Sequence, residues 1–130
     1  MGDLILSIDQ PEDRHAHRAA VFDIVRQIPE GRVMTYGGIA ALIPPPPGID
    51  YAAYSRIRAR WVGYALNNCP EQLPWHRVVN AKGRISVRHG MGPALQRTLL
   101  EKEGVAFDQS DHLDLEALSW SPELELYSLD

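Results

Sequence analysis

The chain has 130 residues, 45% of them hydrophobic, with ten Gly and ten Pro; this fits one compact domain with a single modest core and excludes a disordered tail or a large enzyme. The lone cysteine, Cys69, excludes an internal disulfide scaffold and a cysteine-rich zinc site. The net charge of −4 is split: residues 108–130 hold seven acids and no Lys or Arg, residues 1–107 hold ten acids against thirteen bases, and residues 51–90 hold seven bases against Glu71 alone.

The basic stretch is a candidate phosphate-binding surface, or a solvated face balanced by the acidic tail. No run of about 18 apolar residues marks a membrane span, and the N-terminus lacks a basic flank followed by an apolar stretch, so a cytoplasmic protein without membrane contact is expected. One domain is expected over residues 1–120, with an acidic tail over 121–130.

In chain order, residues 17–28 place Val21, Ile24, Val25 and Ile28 at helical spacing with Arg18, Asp23 and Arg26 opposite. This predicts an amphipathic helix ended by Pro29 and Gly31. Residues 32–36 are short and β-prone, and residues 37–42 predict a brief helix that Thr35 can cap. The prolines at 44–47 stop that helix and form a stiff connector.

From Ser55 to Asn67 the pattern is helical again, with Ile57, Trp61 and Ala65 on one face and Arg56, Arg60, Gly63 and Asn67 on another. Two arginines one turn apart, followed by a glycine that lets a backbone approach, suit contact with a sugar-phosphate chain. Residues 75–86 predict two short strands around a turn at 80–83, a wing-like hairpin. Pro93 opens a helix that turns Leu95 and Leu99 inward, Gly104 ends it, and residues 105–107 predict a short strand. A packed piece around 113–120 precedes a loose acidic end. The expected fold is mainly α with a small β-hairpin, a winged helix-turn-helix.

The most specific string is Pro74-Trp75-His76-Arg77-Val78-Val79. Upstream lie Gly31-Arg-Val-Met-Thr-Tyr36 and Arg60-Trp-Val-Gly-Tyr-Ala-Leu66; downstream lie Gly83-Arg-Ile-Ser86, Arg88 and Leu100-Glu-Lys-Glu-Gly104. Together, in this order, they resemble the C-terminal DNA-binding domain of the O6-alkylguanine-DNA alkyltransferases. Where those enzymes carry a cysteine between the proline and the histidine, this chain has Trp75. The pattern therefore resembles the alkyltransferase-like proteins, which share the domain but lack the acceptor thiol.

The resemblance implies a DNA-damage recognition protein, not an enzyme, that flips O6-alkylguanine out of double-stranded DNA and directs it to nucleotide excision repair proteins. An indole offers no nucleophile comparable to a thiolate, so His76 has no thiol to activate, and Glu103 matches the carboxylate that orients the histidine in the enzymes. By the same resemblance, Tyr36, Trp75, Arg88 and His76 form the lesion pocket. Tyr36 presses on the adjacent phosphate, and Arg60 enters the stack as a finger. Thr35, Arg56, Gly63 and Arg77 contact the DNA backbone. No cofactor or metal is expected, His17 and His89 having no ligand spacing, and a monomer is expected.

Cys69 has no adjacent histidine to lower its pKa, which argues against it as an alkyl acceptor. The segment 43–55 is longer than the turn of a helix-turn-helix. It reads as a surface loop, a further DNA contact through Tyr51 or Tyr54, or a docking site for a repair partner. The alternative function is a winged-helix transcription regulator binding undamaged duplex.

Overall fold

A computed structural model describes residues 11–45, 47–67, 69–85 and 92–122. Helix α1 (Pro11–Gln27) starts earlier than its apolar periodicity indicates, with proline at the first helical position, where no backbone N–H is needed. It buries Val21, Ile24 and Val25, and Ile28, just past its end, is buried with them, so the four residues the spacing selects all lie inside. Strand β1 (Met34–Thr35) leads directly into α2 (Tyr36–Ala40). Thr35 caps that helix as expected, its Oγ1 accepting from the Gly38 amide at 2.9 Å.

Helix α3 (Tyr51–Leu66) is capped by Asp50, whose Oδ2 accepts from the Ala53 amide at 3.1 Å. A 3-10 turn over Trp75–Arg77 runs into β2 (Val78–Val79), followed by α4 (Gly92–Lys102) and α5 (Leu115–Leu118). A first core joins α1, α2 and α3 through Val25, Ile28, Ile39, Val62 and Leu66, with Val78 of β2. A second joins Val33, Val79, Leu100, Val105 and Leu113. Among the described residues no helix is long and apolar enough to cross a membrane.

Among the described residues the architecture is mainly helical with one small two-stranded sheet, as the sequence indicates. Its strands are not the two legs of a hairpin within 75–86, however. Val78–Val79 pairs in parallel with Met34–Thr35, in register Met34 to Val78 and Thr35 to Val79. The turn at 80–83 does form: Gly83 N donates to Asn80 O at 3.0 Å, and Asn80 Oδ1 accepts from the Lys82 and Arg84 amides. Its second leg bridges His112 at Arg84 instead of returning to β2. Gly83 stands at φ +80°, and a Cβ there would lie 2.9 Å from the Leu113 carbonyl oxygen, so only glycine fits.

Three local expectations need correction. Residues 105–107 form no strand; Val105 is buried as part of the second core. On α4 the residues fully inside are Gln96 and Leu100, while Leu95 and Leu99 are half-buried. The long connector ends sooner than predicted, because residues 51–55 already belong to α3.

That connector carries its own small core. Ile49, Tyr54 and Trp61 are buried together, with the Tyr54 and Trp61 rings 5.4 Å apart, and the Tyr54 hydroxyl donates to the Ile43 carbonyl at 3.0 Å. Tyr54 is thus a structural brace and not a DNA contact. Tyr51 is exposed and lies by Arg58, whose guanidinium is 5.8 Å from the ring centroid.

Candidate nucleic-acid interface

The turn at residues 74–79 is held by the side chain of Glu103, at the end of α4. Glu103 Oε2 meets His76 Nε2 at 2.7 Å and accepts from Arg77 Nη2 at 2.7 Å; Arg77 Nε donates to both carboxylate oxygens, at 3.0 and 3.2 Å. The Gly31 amide donates to Oε1 at 2.9 Å, and Arg77 Nη1 donates to the Ile28 carbonyl at 2.8 Å. One carboxylate thereby ties the end of α1, the 3-10 turn and the end of α4. Burial pushes its acidity toward the neutral form, but the Arg77 guanidinium, the Gly31 amide and His76 outweigh this and hold its pKa at about 2. An ionised carboxylate only accepts, so His76 Nε2 carries the proton in this pair.

Fully buried Gln96 supports the same turn from behind, donating through Nε2 to the carbonyls of His76 at 3.1 Å and Val78 at 2.9 Å. Trp75 is only 6% exposed and stands edge-on to His76, with ring centroids 6.1 Å apart.

On α3 the outward ridge consists of Arg56, Arg60, Tyr64 and Asn67, spaced four, four and three residues apart, and all are exposed. Among the described residues, Arg56, Arg58 and Arg60 form no ion pair with an acid. The ridge therefore presents positive charge that the rest of the described protein does not neutralise. Tyr36 is the first residue of α2, half-buried against the first core. A cavity of about 260 Å³ is lined by Thr35, Gly38, Ser119 and Trp120, among others. The residues 118–120 reach this position by pairing with Val33: Val33 N donates to Leu118 O and Trp120 N to Val33 O.

The family model described as 6-O-methylguanine DNA methyltransferase, DNA binding domain, matches residues 16–105. A DNA base-flipping protein of Vibrio parahaemolyticus is 38% identical over 104 residues, covering 78% of this chain and 93% of the relative. Alkyltransferase-like protein 1 of Schizosaccharomyces pombe is 39% identical over 109 residues, covering 78% and 92%. The chain belongs to the alkyltransferase-like proteins. The crystal structure of the S. pombe protein with damaged DNA containing O6-carboxymethylguanine superposes with a TM-score of 0.61 at 32% identity, over 83% of this chain and 97% of that one.

Within this alkyltransferase-like fold the residues selected from sequence meet different fates. Trp75 and His76 sit in one turn with the Glu103 carboxylate against His76, and Arg56 and Arg60 share one open ridge. Arg77 and Gly63 are placed elsewhere than expected. The Arg77 guanidinium is committed to Glu103 and Ile28 with its side chain 16% exposed, and Gly63 is buried, so neither is presented to a phosphate chain. Thr35 uses its hydroxyl oxygen as the α2 cap. Arg88 lies outside the described residues.

Cys69 is half-buried against the first core, and burial pushes its thiol up, away from the reactive thiolate. His17 is buried edge-on against Trp61, ring centroids 5.8 Å apart. Two residues escaped the sequence reading. Gln96 reads as a polar surface residue until its carbonyl partners are known, and Tyr64 becomes part of the ridge only once the angle at which α3 is buried is known.

Proposed function

We propose that the protein binds double-stranded DNA containing O6-alkylguanine, rotates the modified nucleotide out of the helix and holds it without alkyl transfer. The observation that carries this reading is the turn at 74–79. It retains a histidine and carboxylate 2.7 Å apart, yet the residue beside them is Trp75, whose indole cannot take an alkyl group as a thiolate does. The names of the similar proteins, and the lesion in the S. pombe complex, support it.

Extruding a base costs a few kcal/mol, least for a damaged or mispaired one, which favours the lesion over guanine. Tyr36, at the start of α2, presses on the phosphate beside the lesion. Arg60, on the open ridge, fills the vacancy with a planar guanidinium that stacks and donates at once. Trp75 walls the pocket, where aromatic contact is worth about 1–3 kcal/mol per base. Arg88 lies against the flipped ring. Arg56 neutralises a backbone phosphate. Two further parts of the proposal rest on the family resemblance: the bound complex is passed to nucleotide excision repair proteins, and the protein acts as a monomer, at the nucleoid in a bacterial cell.

The test is competitive binding of a duplex with one O6-methylguanine against the same duplex with guanine, at fixed salt, followed by mass spectrometry of the protein. Preference for the lesion with unchanged protein mass is expected. Equal binding to both duplexes would instead favour a winged-helix regulator of undamaged DNA, and a methyl adduct on Cys69 would make the protein an alkyltransferase.

A further inference from the structure

The open ridge of α3 contains an unexpected residue. Tyr64 is 53% exposed, and among the described residues only it and Tyr51 are large hydrophobic side chains left so open. It lies one turn after Arg60 on the same face, and Arg56 lies one turn before. Side chains four apart on a helix have Cβ atoms about 5–6 Å apart, so the three form a continuous strip about 12 Å long. An aromatic ring at the end of a row of cations carries an apolar face and a phenolic donor where the rest of the strip offers only positive charge. That combination fits a nucleic-acid groove, in which apolar side chains act as wedges against base steps and rings pack on bases and sugars.

We infer that Tyr64 is a second DNA-reading residue: its ring packs against the nucleotide flanking the vacancy that Arg60 fills, and stabilises the opened step. The spacing suits this role, since about 6 Å along the helix is more than one nucleotide step of about 3.4 Å. The ring therefore falls next to the disturbed step and not on it. Arg56, on the other side, supplies charge to the backbone, so one end of the strip is electrostatic and the other is apolar. Arg60 and Tyr64 both act on the opened step, whereas the phosphate contact of Arg56 is the same on an opened and a closed duplex and does not discriminate between them. The inference rests on the lesion-flipping reading of Arg60 given above.

The experiment compares the full-length protein with its Tyr64→Ala, Tyr64→Phe, Arg60→Ala and Arg60→Ala/Tyr64→Ala variants. Binding is measured to O6-methylguanine and guanine duplexes, with 2-aminopurine beside the lesion to report unstacking, and circular dichroism confirms the fold. Tyr64→Ala is expected to weaken lesion binding about tenfold, with a smaller loss on guanine DNA and a reduced 2-aminopurine signal. Tyr64→Phe, which keeps the ring, is expected to retain most of the preference. The double variant is expected to lose less than the sum of the single losses, because the two side chains act on one opened step. Equal losses on both duplexes, or a lesion preference kept in full by Tyr64→Ala, overturns the Tyr64 role while the proposed function stands. A wild-type protein with no lesion preference overturns both.

Discussion

The turn at 74–79 and the outer ridge of α3 are built on opposite principles. In the turn, His76, Arg77 and Glu103 satisfy one another within the protein, and Gln96 holds the backbone carbonyls on either side. On the ridge, Arg56 and Arg60 face solvent without an acidic partner among the described residues. In the proposed function, a pocket that accepts one modified base benefits from a wall fixed by internal hydrogen bonds. In the same proposal, a probe that enters a duplex gains from charge that the described protein does not neutralise. The arginine of the conspicuous motif, Arg77, belongs to the first kind and the arginines of α3 to the second, so residue type alone does not assign the role.

This contrast predicts that mutations in the turn cost stability and mutations on the ridge cost binding. The largest effect is expected for Glu103→Ala, which leaves the poorly exposed Arg77 guanidinium unpaired; unfolding in urea should show a loss of about 3–5 kcal/mol. The same carboxylate makes stability depend on acid. Its pKa falls from 4.5 in the free state to about 2 in the fold, so its contribution is full above the free value and is lost as pH drops from there toward the folded value. Acid titration of the wild type should show this loss, and Glu103→Gln should lack that component.

Gln96→Ala removes the donor to a buried carbonyl and a part-buried one and leaves a void, with an expected loss of about 2–3 kcal/mol in the same unfolding measurement. Arg60→Ala should reverse the pattern. Its unfolding free energy should stay within about 0.5 kcal/mol of wild type, while binding to the lesion duplex weakens by about 1–3 kcal/mol. Equal loss on lesion and guanine duplexes would move Arg60 from the finger role to a backbone contact. The smallest effect, about 1 kcal/mol of stability, is expected for Tyr54→Phe, which removes only the buried hydroxyl bond to Ile43.

Much of this was legible from local pattern. The buried face of α1, the Thr35 cap, the pairing of His76 with Glu103 and the open positions of Arg56 and Arg60 follow from helical period, capping chemistry and an ordered set of motifs. The errors arose where a residue's partner lies far along the chain. Val78–Val79 looked like half of a hairpin because strand propensity is local, whereas its partner is Met34–Thr35. Arg77 looked like a phosphate ligand because its acid is twenty-six residues away. Tyr54, weighed as a DNA contact in a long loop, proved to be the brace of a small core that begins α3 early.

Period, capping residues and motif order are properties of neighbouring positions, and through them the sequence by itself determined the main helices and the family. Which charged groups are consumed inside the protein and which remain open to DNA was decided only by tertiary structure. A guanidinium that finds a buried carboxylate and a carbonyl is retained within the fold, and one that finds neither among the described residues stays at the surface, available to phosphate.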